Sequence, residues 1–335
     1  MHRAGRLVAA SPVYAKDHSY GEYVFDWAWA DAYRRHGLAY FPKLVAALPF
    51  TPVPGARLLA EDDAARLALL AALEGLVQAR RASSAHLLFT DEADLRAARR
   101  RGWLVRDNVQ FHWRNREAPP FADFDDFLAS LKRDKRKKIA QERRRVAEAG
   151  VVVRPLRATE ASARDWDFFF DCYERTYLEH GHAPYLSRDF FARIAAAQAE
   201  HWLLFVAERG TEPIASSLIA IDEARRHAWG RYWGALQHVP CLHFEACYYA
   251  PLQWCIAEGY ACFEGGAQGE HKMARGLLPV ATHSAHWLAH PQFSRAVADS
   301  LERESAGVEA YVDELRERSP FRLAAQSRSC DNPPS

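Results

Sequence analysis

RYWGALQHVPCLHFEACYYAPLQWCIAEGYACFEGGAQGEHKMARGLLPV, residues 231–280, runs from the end of a strand through a helix and a second strand into a glycine-rich loop. Within it Phe244, Cys247, Tyr248, Leu252, Cys255 and Ile256 recur at three- and four-residue spacing, which predicts a helix over 243–259 with Gly259 as its stop. Residues 260–264 then read as a strand. Upstream, the apolar runs 202–208, 214–221 and 227–233 are joined by short turns, the first marked by Gly210 and Pro213, and predict an antiparallel meander. A strand over 151–156 and an aromatic-rich helix over 166–179 precede it, while 282–288 reads as a strand and 292–318 as a helix.

Farther out, residues 7–14 and 21–29 read as strands, the second from its aromatic content, and 31–37 as a helical turn. Pro49, Pro52 and Pro54 beside Gly55 exclude a long helix there. Leu67, Leu70, Leu73 and Val77 predict an amphipathic helix over 62–80; a strand at 86–90, a helix at 91–101 and a strand at 103–113 follow. Residues 125–150 read as one long helix stopped by Gly150. The class expected is α+β (mixed α/β), with a first lobe over 1–122, a basic connecting helix over 123–150, a second lobe over 151–323 and a disordered tail over 324–335.

The chain has 335 residues, 49% of them hydrophobic, and a formal net charge of +1, which excludes a uniformly basic polyanion-coating protein. The charge is uneven: residues 132–145 carry nine basic and two acidic side chains, net +7, against −6 for the remainder. No apolar run approaches the ~18 residues of a membrane span, so no integral membrane segment is expected. The six cysteines form no C-x-x-C pair and four lie among apolar residues, which predicts reduced, packed thiols and a cytoplasmic location.

The order strand, helix, three-strand meander, helix, strand is that of a GNAT-type acyltransferase core, in which two neighbouring strands splay apart to admit an acyl carrier. Residues 231–280, together with LASLKRDKRKKIAQERRRVAEAG (128–150), SYGEYVFDWAWADAY (19–33) and PFTPVPGARLL (49–59), resemble the FemAB-like branch of that superfamily. The resemblance extends over nearly the whole chain. It implies two tandem GNAT-like lobes, each a mostly antiparallel sheet flanked by helices, the first expected to be short at its start. It also implies N-acyl or aminoacyl transfer to an amine, on a small molecule or a cell-wall precursor, with tRNA as a candidate partner. The donor is left open between acetyl-CoA or another acyl-CoA and an aminoacyl-tRNA. GALQHVPCLHF (234–244) lacks the Q/R-x-x-G-x-G/A pattern that holds a CoA pyrophosphate at a helix N-terminus, which counts against ordinary acetyl-CoA binding. The alternative is a non-catalytic binding protein that keeps the fold.

The loop over 264–276 is the leading site candidate. Gly265, Gly266 and Gly269 let backbone approach a ligand, Gln268 between them is a further substrate- or donor-binding candidate, and Lys272 and Arg275 follow as cations for a phosphate or an oxyanion. The resemblance makes Lys272 the substrate-facing cation; the spacing equally suits a plain glycine turn with a solvated lysine. Amine acylation also needs a proton acceptor, for which His271, Glu264 and Tyr232 are candidates, with Trp233, His243 and Tyr248 as neighbours in the substrate or donor pocket. Arg136, Lys137, Arg143 and Arg144 on the basic helix are candidates for phosphate or RNA binding, or form a solvated face. The aromatic and charged side chains Tyr20, Glu22, Asp26, Trp27, Asp31, Tyr33 and Arg57 either shape an acceptor pocket or pack as paired charges. No metal is expected, because His180, His182, His283, His286 and His290 lack the spacing and companions of a zinc site. Cys247 and Cys255, on an apolar helix face, are not expected to act as nucleophiles.

Overall fold

The computed structural model describes residues 1–266 and 269–322; the candidate Gln268 and the tail over 324–335 lie outside the described residues. The chain forms two compact units, Met1–Gln110 with Val280–Leu315 and Phe111–Pro279 with Arg316–Ser335. The fold is α+β, a large mixed sheet flanked by helices, and two separate lobes with their own sheets are not resolved in the strand order of the described residues. The boundary differs from the expected split at 122, because the C-terminal strand and helix return to the first unit.

The first unit contains β1 (His2–Arg3), β2 (Arg6–Leu7), β3 (Ala9–Ala10), β4 (Tyr14–Lys16), α1 (Trp27–Arg35), β5 (Lys43–Ala46) and β6 (Leu59–Ala60). They are followed by α2 (Asp63–Arg80), β7 (Ser84–Thr90), α3 (Glu92–Arg100), most of β8 (Leu104–Arg114) and β14 (Leu278–Leu288), and α10 (Pro291–Glu317). The sheet order is β4-β5-β7-β14-β8, with β5 and β7 parallel and β14 antiparallel to β7. Asp62 and Asp91 cap α2 and α3 by accepting from Ala65 N and Asp94 N, satisfying donors that a helix start leaves free. Leu69, Leu70, Leu73 and Val77 of α2 pack on Leu44, Ala46, Ala85 and Leu87 of the sheet.

Where a strand is expected at 21–29, the structure instead has α1. Trp29 and Tyr33, four residues apart, share one buried face with Tyr40, Leu288, Val297 and Leu301, so helical spacing overrides the aromatic β preference. The strand expected at 7–14 is reduced to short pieces. Lys43 of β5 is wholly buried, and its Nζ donates to Ser19 Oγ (2.8 Å), Glu22 Oε2 (2.8 Å) and Asp26 Oδ2 (2.5 Å). Glu22 and Asp26 are thus paired charges, and Tyr40 OH donates to Asp26 as well, at 2.6 Å. Arg57 is also buried and donates from Nε to Leu88 O (2.7 Å) and from Nη2 to Val53 O (2.5 Å), tying the proline-rich segment to β7.

The second unit contains α4 (Phe124–Ser130), α5 (Arg133–Glu148), β9 (Val151–Arg157), α6 (Ala163–Glu179), α7 (Arg188–Ala197), β10 (Trp202–Arg209), β11 (Glu212–Asp222) and β12 (His227–Ala235). A helical segment follows as α8 (Leu242–Phe244), a π turn (Glu245–Tyr249) and α9 (Ala250–Ala257), then β13 (Cys262–Glu264) and a 3-10 turn (Glu270–Arg275). The order is β8-β13-β12-β11-β10-β9, and the expected meander β10–β11–β12 is present. The long helix expected over 125–150 is broken. Leu131 is extended and bridges Phe321, while Lys132 N donates to Pro320 O (2.8 Å), so α4 and α5 are separate helices inside this unit. The basic segment is therefore part of the second unit and not a connector. α7, which carries Phe191 and Ile194 into the core beside Phe169, Tyr173 and Leu204, is absent from the sequence reading. Helix α6 lies so close to β12 that a Cβ on Gly234 would sit 1.8 Å from Cys172 O. No helix among the described residues is long and apolar enough to cross a membrane.

Candidate active site

β12 and β13 run parallel but pair only through His227–Trp229 with Cys262–Glu264. Past that point the two strands part. On β12 the register against β11 passes from Gly230 to Tyr232 and skips Arg231, a bulge that bends the strand. The chain after β13 stays with β8 instead: Gly265 N donates to Phe111 O (2.8 Å) and Phe111 N donates to Gly266 O (3.2 Å). The result is a splayed pair of parallel strands inside the second unit.

Lys272, on the 3-10 turn, lies over the two glycines. A Cβ on Gly265 would stand 2.4 Å from Leu277 Cδ2, so glycine there makes room for Leu277, and 3.5 Å from Lys272 Cδ, while one on Gly266 would stand 3.9 Å from Lys272 Nζ, both ordinary contacts with the lysine. Lys272 is 5% exposed, and among the described residues its ammonium has no hydrogen-bond or ion-pair partner. Burial pushes its pKa down to about 8, with Cys247 acting weakly in the other direction. A lysine held this way meets an incoming negative charge with its full field, since no carboxylate among the described residues pairs with it.

Around Lys272 the structure gathers several of the candidates. His243 lies 5.4 Å, ring to ring, from Trp233 and 5.6 Å from Tyr248, and His271 is 6.0 Å from Tyr248. Burial, with the neighbouring His271, Arg275 and Lys272 acting in the same direction, lowers the His243 pKa to about 4. His271 is lowered by burial and by Arg275 and Lys272, so both imidazoles are neutral at pH 7. The π turn replaces regular helix just before Pro251, whose missing N–H and ring do not fit an i−4 hydrogen bond to Cys247 O. Burial pushes the Cys247 and Cys255 thiols well up, as expected of inert cysteines.

Other candidates are placed elsewhere. Tyr232 packs between Tyr173 (5.0 Å) and Phe191 (6.0 Å) on the α6 side of the sheet. Alternation along β13 sends Glu264 to the face opposite Phe263, where His227 Nε2 lies 2.8 Å from Oε1 and His112 Nε2 3.7 Å from Oε2. Arg275 is buried and committed: Nη2 donates to Glu142 Oε2 (2.9 Å), Nη1 to His271 O (2.6 Å), and the guanidinium stacks 3.5 Å from the centre of Phe244. It anchors the turn rather than presenting a free cation. Arg143 pairs with Glu245 (2.9 Å) and Gln253 (2.8 Å), whereas Lys137 and Arg144 are exposed, the latter 3.6 Å from Glu148. Arg136 is half-buried. His283 and His286 are held by Asp107 and His86, each at 2.7 Å.

Three residues of this region are not among the site candidates of the sequence reading: Glu142, His112 and His227. Glu142 had a signal. It falls with Ile139 and Val146 at three- and four-residue spacing on the buried face of α5, where a lone acid in a basic run needs a buried cation. His112 and His227 had none, since only the register brings them to Glu264.

The C-terminal domain (DUF2156) of a candidate lysylphosphatidylglycerol synthetase from Agrobacterium fabrum is similar in fold, with TM-score 0.51, 11% identity, and 77% of this chain and 81% of that chain covered. L-PGS from Bacillus licheniformis matches with TM-score 0.52, 12% identity, and 77% and 82% covered. FemX matches with TM-score 0.48 and 10% identity over 76% of this chain and 86% of its own. None of the curated proteins matches the chain. The profile of the FemAB-like family, described as peptidoglycan biosynthesis/recognition, covers residues 1–323, and the chain belongs to that family.

Proposed function

We propose that the chain is an N-acyltransferase that moves an acyl or aminoacyl group onto an amine, with Lys272 stabilising the negative charge of the tetrahedral intermediate. The observation that carries this reading is the ammonium of the largely buried Lys272, without a counter-ion among the described residues, beside the splayed ends of β12 and β13. The attacking amine forms a C–N bond to the acyl carbon while charge develops on the carbonyl oxygen. Lys272 donates to that oxygen, in a site where burial strengthens the interaction. His271, neutral and solvent-accessible, takes the proton the amine must lose. The family's description supports an amine on a cell-wall precursor as acceptor. Exposed cations on α5, such as Lys137, suit the phosphates of an aminoacyl-tRNA donor; acyl-CoA is the other donor class.

The test is transfer by the purified protein to a cell-wall-precursor amine, with acetyl-CoA and aminoacyl-tRNA each supplied as donor. Lys272→Ala is expected to lose about 100-fold or more in kcat, as removal of one oxyanion donor does, while keeping the wild-type fold by circular dichroism. Because Lys272 serves as a cation, activity is expected to fall as pH rises through about 8. No turnover with either donor, or an unchanged rate in Lys272→Ala, overturns the reading. Salt-sensitive tRNA binding without CoA binding selects the aminoacyl donor.

A further inference from the structure

We infer that Lys272 is itself an acyl acceptor, so that a donor-loaded site lacking its amine substrate acylates its own Nζ and shuts itself off. The inference rests on the function proposed above. Every other buried charge named in the second unit has a partner: Arg275 has Glu142, Glu245 has Arg143, and Glu264 has His227. The Lys272 amine alone has none among the described residues, and its side chain lies along Gly265 and Gly266. An amine placed to donate to a carbonyl oxygen is also within reach of the adjoining carbonyl carbon. Which role it plays depends on its proton: the ammonium stabilises the oxyanion, and the free amine attacks. Burial brings that choice into the neutral range, since the group titrates near 8.

The step balances without an oxidant or reductant. The Nζ lone pair forms a C–N bond to the acyl carbon, and the donor's C–S bond, in a thioester, or C–O bond, in an ester, breaks. Neutral His271 takes the proton from nitrogen, and the leaving thiolate or alkoxide is protonated from solvent. The product is a neutral amide, which carries no charge to stabilise an oxyanion.

The probe is trace acetylation of the full chain with isotopically labelled acetic anhydride at pH 7.5, read by peptide mass mapping. Lys272 is expected to label about tenfold or more faster than the exposed Lys137, with a pH profile centred near 8. Lys272→Arg should remove that label and leave the others unchanged. Labelling no faster than at Lys137 overturns the inference, whatever the transfer assay shows. In a second arm, acetyl-CoA or aminoacyl-tRNA replaces the anhydride and the acceptor is withheld. Acylated Lys272 and lost transfer activity are expected. Active transfer with an unmodified Lys272 overturns self-acylation and leaves the transferase reading standing. Fast anhydride labelling with no transfer from either donor sinks the transferase reading, and the self-acylation that rests on it, while the nucleophilic lysine stands.

Discussion

Lys272 contributes to stability in a way that depends on pH, and the sign follows from its burial. Its folded-state pKa, about 8, lies below the ordinary 10.5, so the unfolded chain binds the proton more tightly. Below pH 8 the folded state bears the full cost of a buried ammonium. Between about 8 and 10.5 the folded lysine is neutral while the unfolded one is still charged, and stability rises with pH by about 3 kcal/mol. Urea unfolding of wild type and Lys272→Met across pH 7–10.5 measures this: the variant is expected to be the more stable at pH 7, with the difference closing by pH 10. A pH-independent difference would contradict a buried, unpaired lysine. At this scale the sequence pointed to Lys272, His271, His243 and Tyr248, because glycines flanked the lysine and the aromatic helix preceded it. It grouped Glu264 and Arg275 with them by proximity in the chain. Strand alternation and the buried acid on α5 then assign those two to other partners, and spacing along one segment shows neither.

Among the elements, α5 combines an exposed basic face with ties through Arg143, to Glu245, and through Glu142. Glu142 accepts from Arg275 (2.9 Å) and from the Tyr249 hydroxyl, which fixes the 3-10 turn bearing Lys272 against helix α5 and the π turn. Glu142→Leu leaves a buried guanidinium unpaired, an error that typically costs about 3–5 kcal/mol. The double variant Glu142→Leu/Arg275→Met removes both charges and is expected to recover most of that loss, giving a large coupling energy in a double-mutant cycle. On the same helix, Lys137→Ala should change stability by no more than about 0.5 kcal/mol. Chemical denaturation of the wild type, Glu142→Leu, Arg275→Met, the double variant and Lys137→Ala measures all three effects, and additive losses at Glu142 and Arg275 would show that the pair does not act as a unit. The meander β10–β11–β12 was readable in advance because its strands are mainly apolar and aromatic stretches between turn residues. The helix α1 was not, since aromatic residues suit either period and only the shared burial of Trp29 and Tyr33 selects the helical one.

For the whole molecule, the division of the chain follows from pairings remote in sequence. His286 on β14 pairs with His86 on β7, so a strand that follows the candidate site in the chain completes the sheet of the first unit. Composition gave no sign of this, and the basic run at 132–145 looked like a boundary when it lies within the second unit. The two units can be separated experimentally through Lys43. Burial alone would raise the Asp26 carboxyl, but Lys43, His86 and the hydrogen bonds from Lys43 and Ser19 hold it below the ordinary range. That contribution is complete above the unfolded carboxylate value and is lost as pH falls through the lowered one. Lys43→Met strands Glu22 and Asp26 without their shared cation, although Lys16 still lies 3.2 Å from Glu22. The expected loss is about 3–5 kcal/mol in the first unit. Native-state hydrogen exchange should then show weaker protection in β5 and β7, with β10 and β11 unchanged. Equal weakening in all four strands would mean that the chain opens as one cooperative body, and that the compact units are divisions of geometry without separate stability.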